Sequence, residues 1–253
     1  AEIIERDIDK KLAILETLAK IDRIQNPDIP TEDKLLMLNT YFNAQEFFRI
    51  SIADLSGYSK TSDKETVYGG DREYFIKAMA GQRNVSDPLI SRIDGNNVVT
   101  FAVPVYHQNK IISVLYATYP VEELSLMTDR IKFGKDSYAF ILDRSGTAIA
   151  HDDRELVYKK DNILQKKEYD PSLLALKKLH GQMTEGKSGA GEYKYEDTRK
   201  IMGYAPIRGT EWSLGVCAPY SAVFADIYDF LSFLLFSSIV VIMIIVVLTL
   251  YLK

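Results

Sequence analysis

The sequence predicts an α+β fold ending in a membrane helix, and three features carry that reading. An amphipathic stripe opens the chain, a strand-and-turn pattern occurs twice, and an uncharged apolar run closes it. The 253 residues hold 31 Lys+Arg against 35 Asp+Glu, a net charge of −4 with the signs interspersed. That balance argues against a nucleic-acid binder, whose affinity comes from clustered Lys and Arg on phosphates. The single cysteine, Cys217, excludes an internal disulfide and a Cys-rich metal site, so stability must come from a packed core. Between Val216 and Ala218 in a strand pattern, Cys217 itself reads as a small core residue.

Ile4, Ile8, Leu12, Leu15 and Ala19 recur at steps of 4, 4, 3 and 4, and Ile14, Leu18 and Ile21 widen the stripe. The helix they predict runs to about Ile24, where Asn26-Pro27 and Pro30 stop it. Thr31-Glu32-Asp33 opens a second, shorter helix from Lys34 to about Tyr41. Phe48, Ile50 and Ile52 then alternate with Arg49 and Ser51, a strand ended by Ser56-Gly57. Residues 58–70 are polar and irregular and read as a long functional loop. Asp71 is placed to cap a helix reaching about Ala80. Residues 97–105 and 111–119 alternate on either side of His107-Gln108-Asn109-Lys110, which predicts a hairpin. A helix over 121–131 bridges to the second half.

That half repeats the first. Ile52-Ala53-Asp54-Leu55-Ser56-Gly57 is echoed by Ile141-Leu142-Asp143-Arg144-Ser145-Gly146, an offset of 89 residues with a shared Asp-x-Ser-Gly turn. The hairpin recurs over 198–207 and 212–219, with Val103-Pro104-Val105 answered by Ala205-Pro206-Ile207. Duplication on this scale means two similar α+β modules. Residues 230–252 then carry no charge, and 239–248 are entirely apolar. About 20 such residues, at about 1.5 Å each, cross the roughly 30 Å hydrocarbon core, so this run reads as a transmembrane helix. Asp226 and Asp229 flank it on one side and Lys253 on the other, which places residues 1–229 outside the cytoplasm. Because the opening stripe starts at the first residues with no targeting segment, a second membrane helix is expected upstream of Ala1.

Several local patterns carry little. Gly181-Gln182-Met183-Thr184-Glu185-Gly186-Lys187-Ser188 fits a phosphate-binding loop, but that loop needs a strand before it and a helix after it. Here a helical stretch precedes and an alternating stretch follows, so it reads as a glycine-rich connector. His107, His151 and His180 have no ligand-spaced partners, and His151-Asp152-Asp153 reads as the polar end of a strand. Asn84-Val85-Ser86 is a fortuitous glycosylation sequon.

Two motif blocks are similar to those of the double Cache sensor domain of bacterial transmembrane receptors. The first is Gly70-Asp71-Arg72-Glu73-Tyr74-Phe75, with Ser86-Asp87-Pro88 and the hairpin strands after it. The second runs from Tyr138-Ala139-Phe140-Ile141-Leu142-Asp143 through Ile149-Ala150-His151 and Asn162 to Gly209-Thr210-Glu211-Trp212-Ser213-Leu214. The resemblance covers essentially the whole chain. It implies a signalling helix over 1–30, a membrane-distal PAS-like ligand module over 31–132 and a membrane-proximal one over 133–220. A juxtamembrane helix over 221–229 and the membrane helix over 230–252 would complete the chain. The implied function is extracytoplasmic small-molecule sensing, passed through the membrane to an output domain: a histidine kinase, a chemotaxis module or a diguanylate cyclase. The implied partners are a small molecule, the lipid bilayer and a second copy of the chain, with no nucleic acid, metal, cofactor or catalytic residue. A membrane-anchored hydrolase and a ligand-independent dimerisation module are the alternatives.

Arg72 is the residue to single out. Its guanidinium suits a carboxylate, with Tyr68, Tyr74 and Phe75 as walls, though a local pair with Asp71 or Glu73 is the other reading. The resemblance implies the pocket, with Asp87, Tyr116 and Thr118 as further lining residues and the ligand within 40–120. The chain departs from amino-acid-binding members, which have Trp at Tyr74, Tyr at Leu89 and Asp at Thr118. Lacking an acid for a ligand ammonium, the pocket is expected to hold a small organic carboxylate, with a neutral polar ligand open.

Overall fold

In the computed structural model, which describes residues 1–41, 47–132, 134, 136–166, 171–195 and 197–251, the opening stripe forms helix α1 (Glu2–Ala19). Its buried residues are Ile4, Ile8, Leu12, Leu15 and Ala19, so the stripe is the packing face. The helix stops short of Ile24 because Ile21 turns extended (φ −66°, ψ 129°) before a single further turn, α2 (Asp22–Gln25). Helix α3 (Thr31–Tyr41) follows.

The first module continues through β1 (Arg49–Ala53), β2 (Tyr58–Thr61), β3 (Thr66–Tyr68), α4 (Glu73–Met79), β4 (Asn84–Val85), β5 (Leu89–Ile90), β6 (Asn97–His107) and β7 (Lys110–Pro120). Residues 58–70, read as a loop, instead add the antiparallel pair β2–β3 to the sheet edge. Their inward positions are Ser59 and Thr61, so no apolar alternation announces the strand. Phe48, expected in the first strand, lies outside it and is exposed, and Phe47 is the buried ring. Gln108 and Asn109, both at positive φ, make the two-residue β6–β7 turn that matches strand twist. The sheet runs β3-β2-β1-β7-β6-β4, with β5 also on β6.

This sheet is covered on both faces. Ile50, Ile52, Phe101, Val103 and Leu115 pack with the α1 stripe, while Ala53, Ala102, Val114 and Tyr116 pack with Tyr74, Phe75 and Ala78 of α4. All five residues of β1 are therefore buried, although the sequence alternates apolar with polar.

After the bridging helix α5 (Val121–Thr128), the second module comprises β8 (Tyr138–Leu142), β9 (Ala148–Ala150), α6 (Arg154–Tyr158), α7 (Leu174–Thr184), β10 (Gly189–Tyr195), β11 (Thr198–Pro206) and β12 (Ser213–Pro219). Its sheet order is β10-β11-β12-β8-β9. The glycine-rich connector joins α7 to β10, the reverse of the order a phosphate loop needs. Cys217 is buried in this sheet's core, as expected.

The duplication extends to hydrogen bonds. Asp54 Oδ1 accepts from the amides of Ser56 (2.9 Å) and Tyr58 (3.0 Å), and Asp143 Oδ1 from those of Ser145 (2.8 Å) and Thr147 (3.0 Å). Gly57 (φ +86°) and Gly146 (φ +85°) close the two turns in the left-handed region. Pro104 and Pro206 each lie two residues beyond the last residue paired on that side, Ala102 with Asn84 and Tyr204 with Gly189. A proline there costs no ladder hydrogen bond.

A continuous core joins the modules, since the cluster holding α1 and the first sheet also includes Ile141, Ile149, Ile207, Trp212 and Leu214. Immediately after β12, α8 (Tyr220–Tyr251) begins, a single 32-residue helix that absorbs the separate juxtamembrane segment expected over 221–229. Among the described residues it is the one helix long and apolar enough to cross a membrane. Leu252 and Lys253 lie outside the described residues, as do the side chains of Asp226 and Asp229.

Candidate ligand-binding site

Register builds the site. Arg49 pairs with Thr118, Ser51 with Tyr116, and Thr100 with Thr118, so these side chains share one face of the first sheet. Opposite them lie Tyr68 of β3, Arg72 and Tyr74 at the start of α4, and Ser91 and Arg92 after β5. Together they enclose a cavity of about 30 Å³, room for about one water.

Three arginines line this cavity, and no Asp or Glu does among the described residues. Arg49 is only 5% exposed. Its Nε donates to Asp63 at 2.7 Å and its Nη2 to Asp94 at 3.0 Å, while Nη1 is buried without a partner. Burial acts to pull its pKa down, but the two carboxylates outweigh that and raise it. Burial likewise acts to raise Asp94, yet hydrogen bonds from Ser91 and Arg49 hold it at about 2. Arg92 grips Asp71 with two bonds of 2.7 Å, which draws that exposed carboxyl down to about 2. Ser51 Oγ and Thr118 Oγ1 are also buried without partners. Orphaned polar atoms are uncommon in folded proteins, and three on one cavity mark a place where a polar guest would be stabilised.

Of the residues singled out in the sequence, Tyr68, Arg72, Tyr74, Tyr116 and Thr118 meet here. The rings of Tyr74 and Tyr116 lie 5.2 Å apart, and burial pushes the Tyr74 phenol well up. Arg72 pairs with neither Asp71 nor Glu73; its Nη2 donates to the Ile90 carbonyl at 3.1 Å. Asp71 does not cap α4, because Arg92 holds it. Phe75 packs behind the cavity in the core instead of lining it. Asp87 faces the second module, accepting from Trp212 Nε1 at 3.0 Å and pairing with Arg144 Nε at 2.8 Å. Asn84 of the sequon is buried, with its amide nitrogen donating to the Tyr74 and Gln82 carbonyls. Arg49, Ser51 and Arg92 went unread. The one available signal was that Arg49 and Ser51 share a strand face, which reads as a solvated face until α4 is seen to cover it.

The Cache domain family model, in its dCache form, matches residues 1–227. The chain belongs to the Cache domain family. The methyl-accepting chemotaxis protein PscA of Pseudomonas syringae pv. tomato is 23% identical over 158 residues, 61% of this chain and 25% of its own length. The methyl-accepting chemotaxis protein TlpA of Bacillus subtilis is 26% identical over 146 residues, 57% of this chain and 19% of its own. The matches thus span a quarter or less of these curated relatives. The ligand-binding domain of the Pseudomonas fluorescens chemoreceptor CtaA, solved with L-serine, superposes with a TM-score of 0.66 at 17% identity, covering 86% of this chain and 91% of that one. That of the Campylobacter jejuni chemoreceptor Tlp3, solved with 4-methylisoleucine, gives 0.65 at 12% identity, over 87% and 86%. At such identities these structures share the Cache fold with this chain and carry nothing finer.

Proposed function

We propose that this Cache chain is the extracytoplasmic sensory region of a membrane receptor, with residues 1–229 outside and α8 crossing the bilayer. The ligand is a small organic carboxylate, held in the first, membrane-distal module by Arg72 and Arg49. One observation carries the assignment: three guanidinium groups and no carboxylate line the cavity among the described residues. A plain carboxylate is favoured over an α-amino acid because an ammonium would be buried there without an acid. Entry requires the lining to move, since a volume of about 30 Å³ is too small for such a ligand. Binding therefore selects a more open arrangement, with coupling of about 1–3 kcal/mol to the rest of the molecule. Asp87 and Arg144 link the modules beside Trp212, and β12 runs from there directly into α8. A displacement along that line reaches the membrane and a downstream output domain, and a second copy of the chain accompanies it. The curated relatives are chemotaxis receptors and an extracellular domain assigned to a histidine kinase shares the fold, so the output is either a chemotaxis module or a kinase.

Titration calorimetry of the full chain in lipid nanodiscs, against small mono- and dicarboxylates, tests the reading. Arg72→Ala should lose about 2–5 kcal/mol of affinity with little change in melting, because its one side-chain hydrogen bond among the described residues is to the Ile90 carbonyl. Arg72→Lys should recover part of the loss, lacking the planar fork. Undiminished affinity in a folded Arg72→Ala would sink the carboxylate model.

A further inference from the structure

The second module encloses a much larger space than the arginine-lined cavity of the first. A cavity of about 250 Å³ lies between α7 and the face formed by β8, β9, β10 and β11. Leu142, Ile163 and Leu176 give it an apolar floor, and Tyr138, Phe140 and Tyr193 give it aromatic walls. Interiors are normally packed to crystal density, so a void of this size between a helix and a sheet needs a reason.

Its polar groups supply one. His180 is 9% exposed, lines the cavity, and has Nδ1 buried without a partner. His151 lies beside it, its ring 5.0 Å from that of Tyr138 and 5.8 Å from that of Phe140. The Asp153 amide lies 2.9 Å from His151 Nδ1 and 3.0 Å from Asp152 Oδ1 and donates between them. Asp152 Oδ1 also approaches Nδ1 to 2.8 Å, so imidazole, carboxylate and amide form one hydrogen-bonded cluster at the rim. Burial holds both imidazoles below their ordinary pKa, His180 at about 4, so both are uncharged at neutral pH.

Lys200 is the one cation lining the cavity among the described residues. Its Nζ lies 5.0 Å from the Tyr138 ring centroid and 5.5 Å from that of Tyr195, with no ion pair among the described residues. The three rim acids are engaged within the chain: Asp161 pairs with Lys166 at 2.8 Å, Asp153 caps α6 by accepting from the Glu155 amide at 3.0 Å, and Asp152 accepts from the Asp153 amide at 3.0 Å. Asp152 and Asp153 are exposed, where salt and water screen them. One unpaired ammonium, two neutral imidazoles and an apolar, aromatic body define a guest with one negative charge and a hydrophobic remainder.

We propose that the second module holds a ligand site of its own, specific for a small monocarboxylate with an apolar body, whose carboxylate meets Lys200. It rests on none of the residues assigned to the first module.

The test is a titration of the full chain in lipid nanodiscs with benzoate and with isovalerate, read by the imidazole NMR resonances. The chain has 3 histidines, and His107, beside the β6–β7 turn, is the internal reference. The expected result is a saturable shift at His151 and His180, and none at His107, with at least one probe half-saturating below about 5 mM. Lys200→Gln should weaken it at least fivefold, and Lys200→Arg should recover part of the loss. Absence of saturation with both probes, an equal shift at His107, or a smaller loss in Lys200→Gln overturns the proposal. The first-module reading stands on the Arg72 variants alone, so failure of either leaves the other to be judged by its own data.

Discussion

The Oγ1 of Thr118 is buried without a partner on the face that carries Arg49. Thr118→Val keeps the shape and removes an orphaned hydroxyl, so melting should hold or rise slightly. If the hydroxyl meets the ligand, affinity should fall by about 0.5–1.5 kcal/mol in the same variant. A parallel loss of stability would place Thr118 in the scaffold instead. His180 gives a second handle at this scale. Its pKa is depressed by burial from 6.5 to about 4, so between those values the unfolded chain binds more protons. Its contribution is complete above pH 6.5 and is lost as pH falls to about 4, roughly 3 kcal/mol in all at 1.36 kcal/mol per unit. Asp71 and Asp94, held at about 2, act in a separate window below their ordinary 3.8. Thermal unfolding followed from pH 7 to 4.5 should therefore slope downward in the parent and less steeply in His180→Gln, where the buried His151 still titrates, and identical slopes would contradict this.

Single elements differ in how much change they tolerate, and the duplicated turns show why. Gly57 and Gly146 have nearly the same φ, so an alanine pays a similar left-handed penalty of about 1–2 kcal/mol in either. Their surroundings are unequal. A Cβ on Gly57 would fall 2.3 Å from the Gly70 backbone, whereas one on Gly146 would fall 2.7 Å from a methyl of Leu164. A side chain can turn aside and a backbone cannot. Chemical denaturation should therefore find Gly146→Ala down by about 1–2 kcal/mol and Gly57→Ala down by clearly more. Gly57→Ala should also disturb the ligand cavity, since Gly70 adjoins Arg72. Equal losses would mean that the Gly57 turn relaxes freely.

For the whole molecule, α1 is the spine. Its stripe belongs to a core cluster shared by both sheets, and its charged face reaches both modules. Arg83 of the first module pairs with Asp9 at 2.9 Å, and Arg208 of the second with Glu5 at 3.0 Å. One core implies one cooperative unit, so calorimetry of the extramembrane part should give a single transition with matching calorimetric and van't Hoff enthalpies. Leu15→Ala, at a fully buried position of α1, should cost about 2–5 kcal/mol and move that transition as a whole. Two transitions, only one of them shifted, would show that the modules melt independently.

By itself the sequence determined the features whose signal is periodic or local. The stripe from Ile4 to Ala19, the β6–β7 hairpin, the paired Asp-x-Ser-Gly turns and the apolar run of α8 each follow from spacing within about 30 residues, where side-chain period reports the face that is buried. Arg72, Tyr116 and Thr118 were legible as neighbours by the same logic joined to a family resemblance. Only the tertiary structure decided what covers each face. Arg49 and Ser51 became cavity groups because α4 lies over their side of β1, and Asp87 left the cavity because Trp212 and Arg144 come from across the module boundary. The β2–β3 pair was invisible because small polar residues fill its inward positions. The histidine and lysine cavity of the second module was hidden for the same physical reason. Lys200 lies on β11, His180 on α7 and His151 just after β9, and no spacing along a chain encodes a distance that only packing sets.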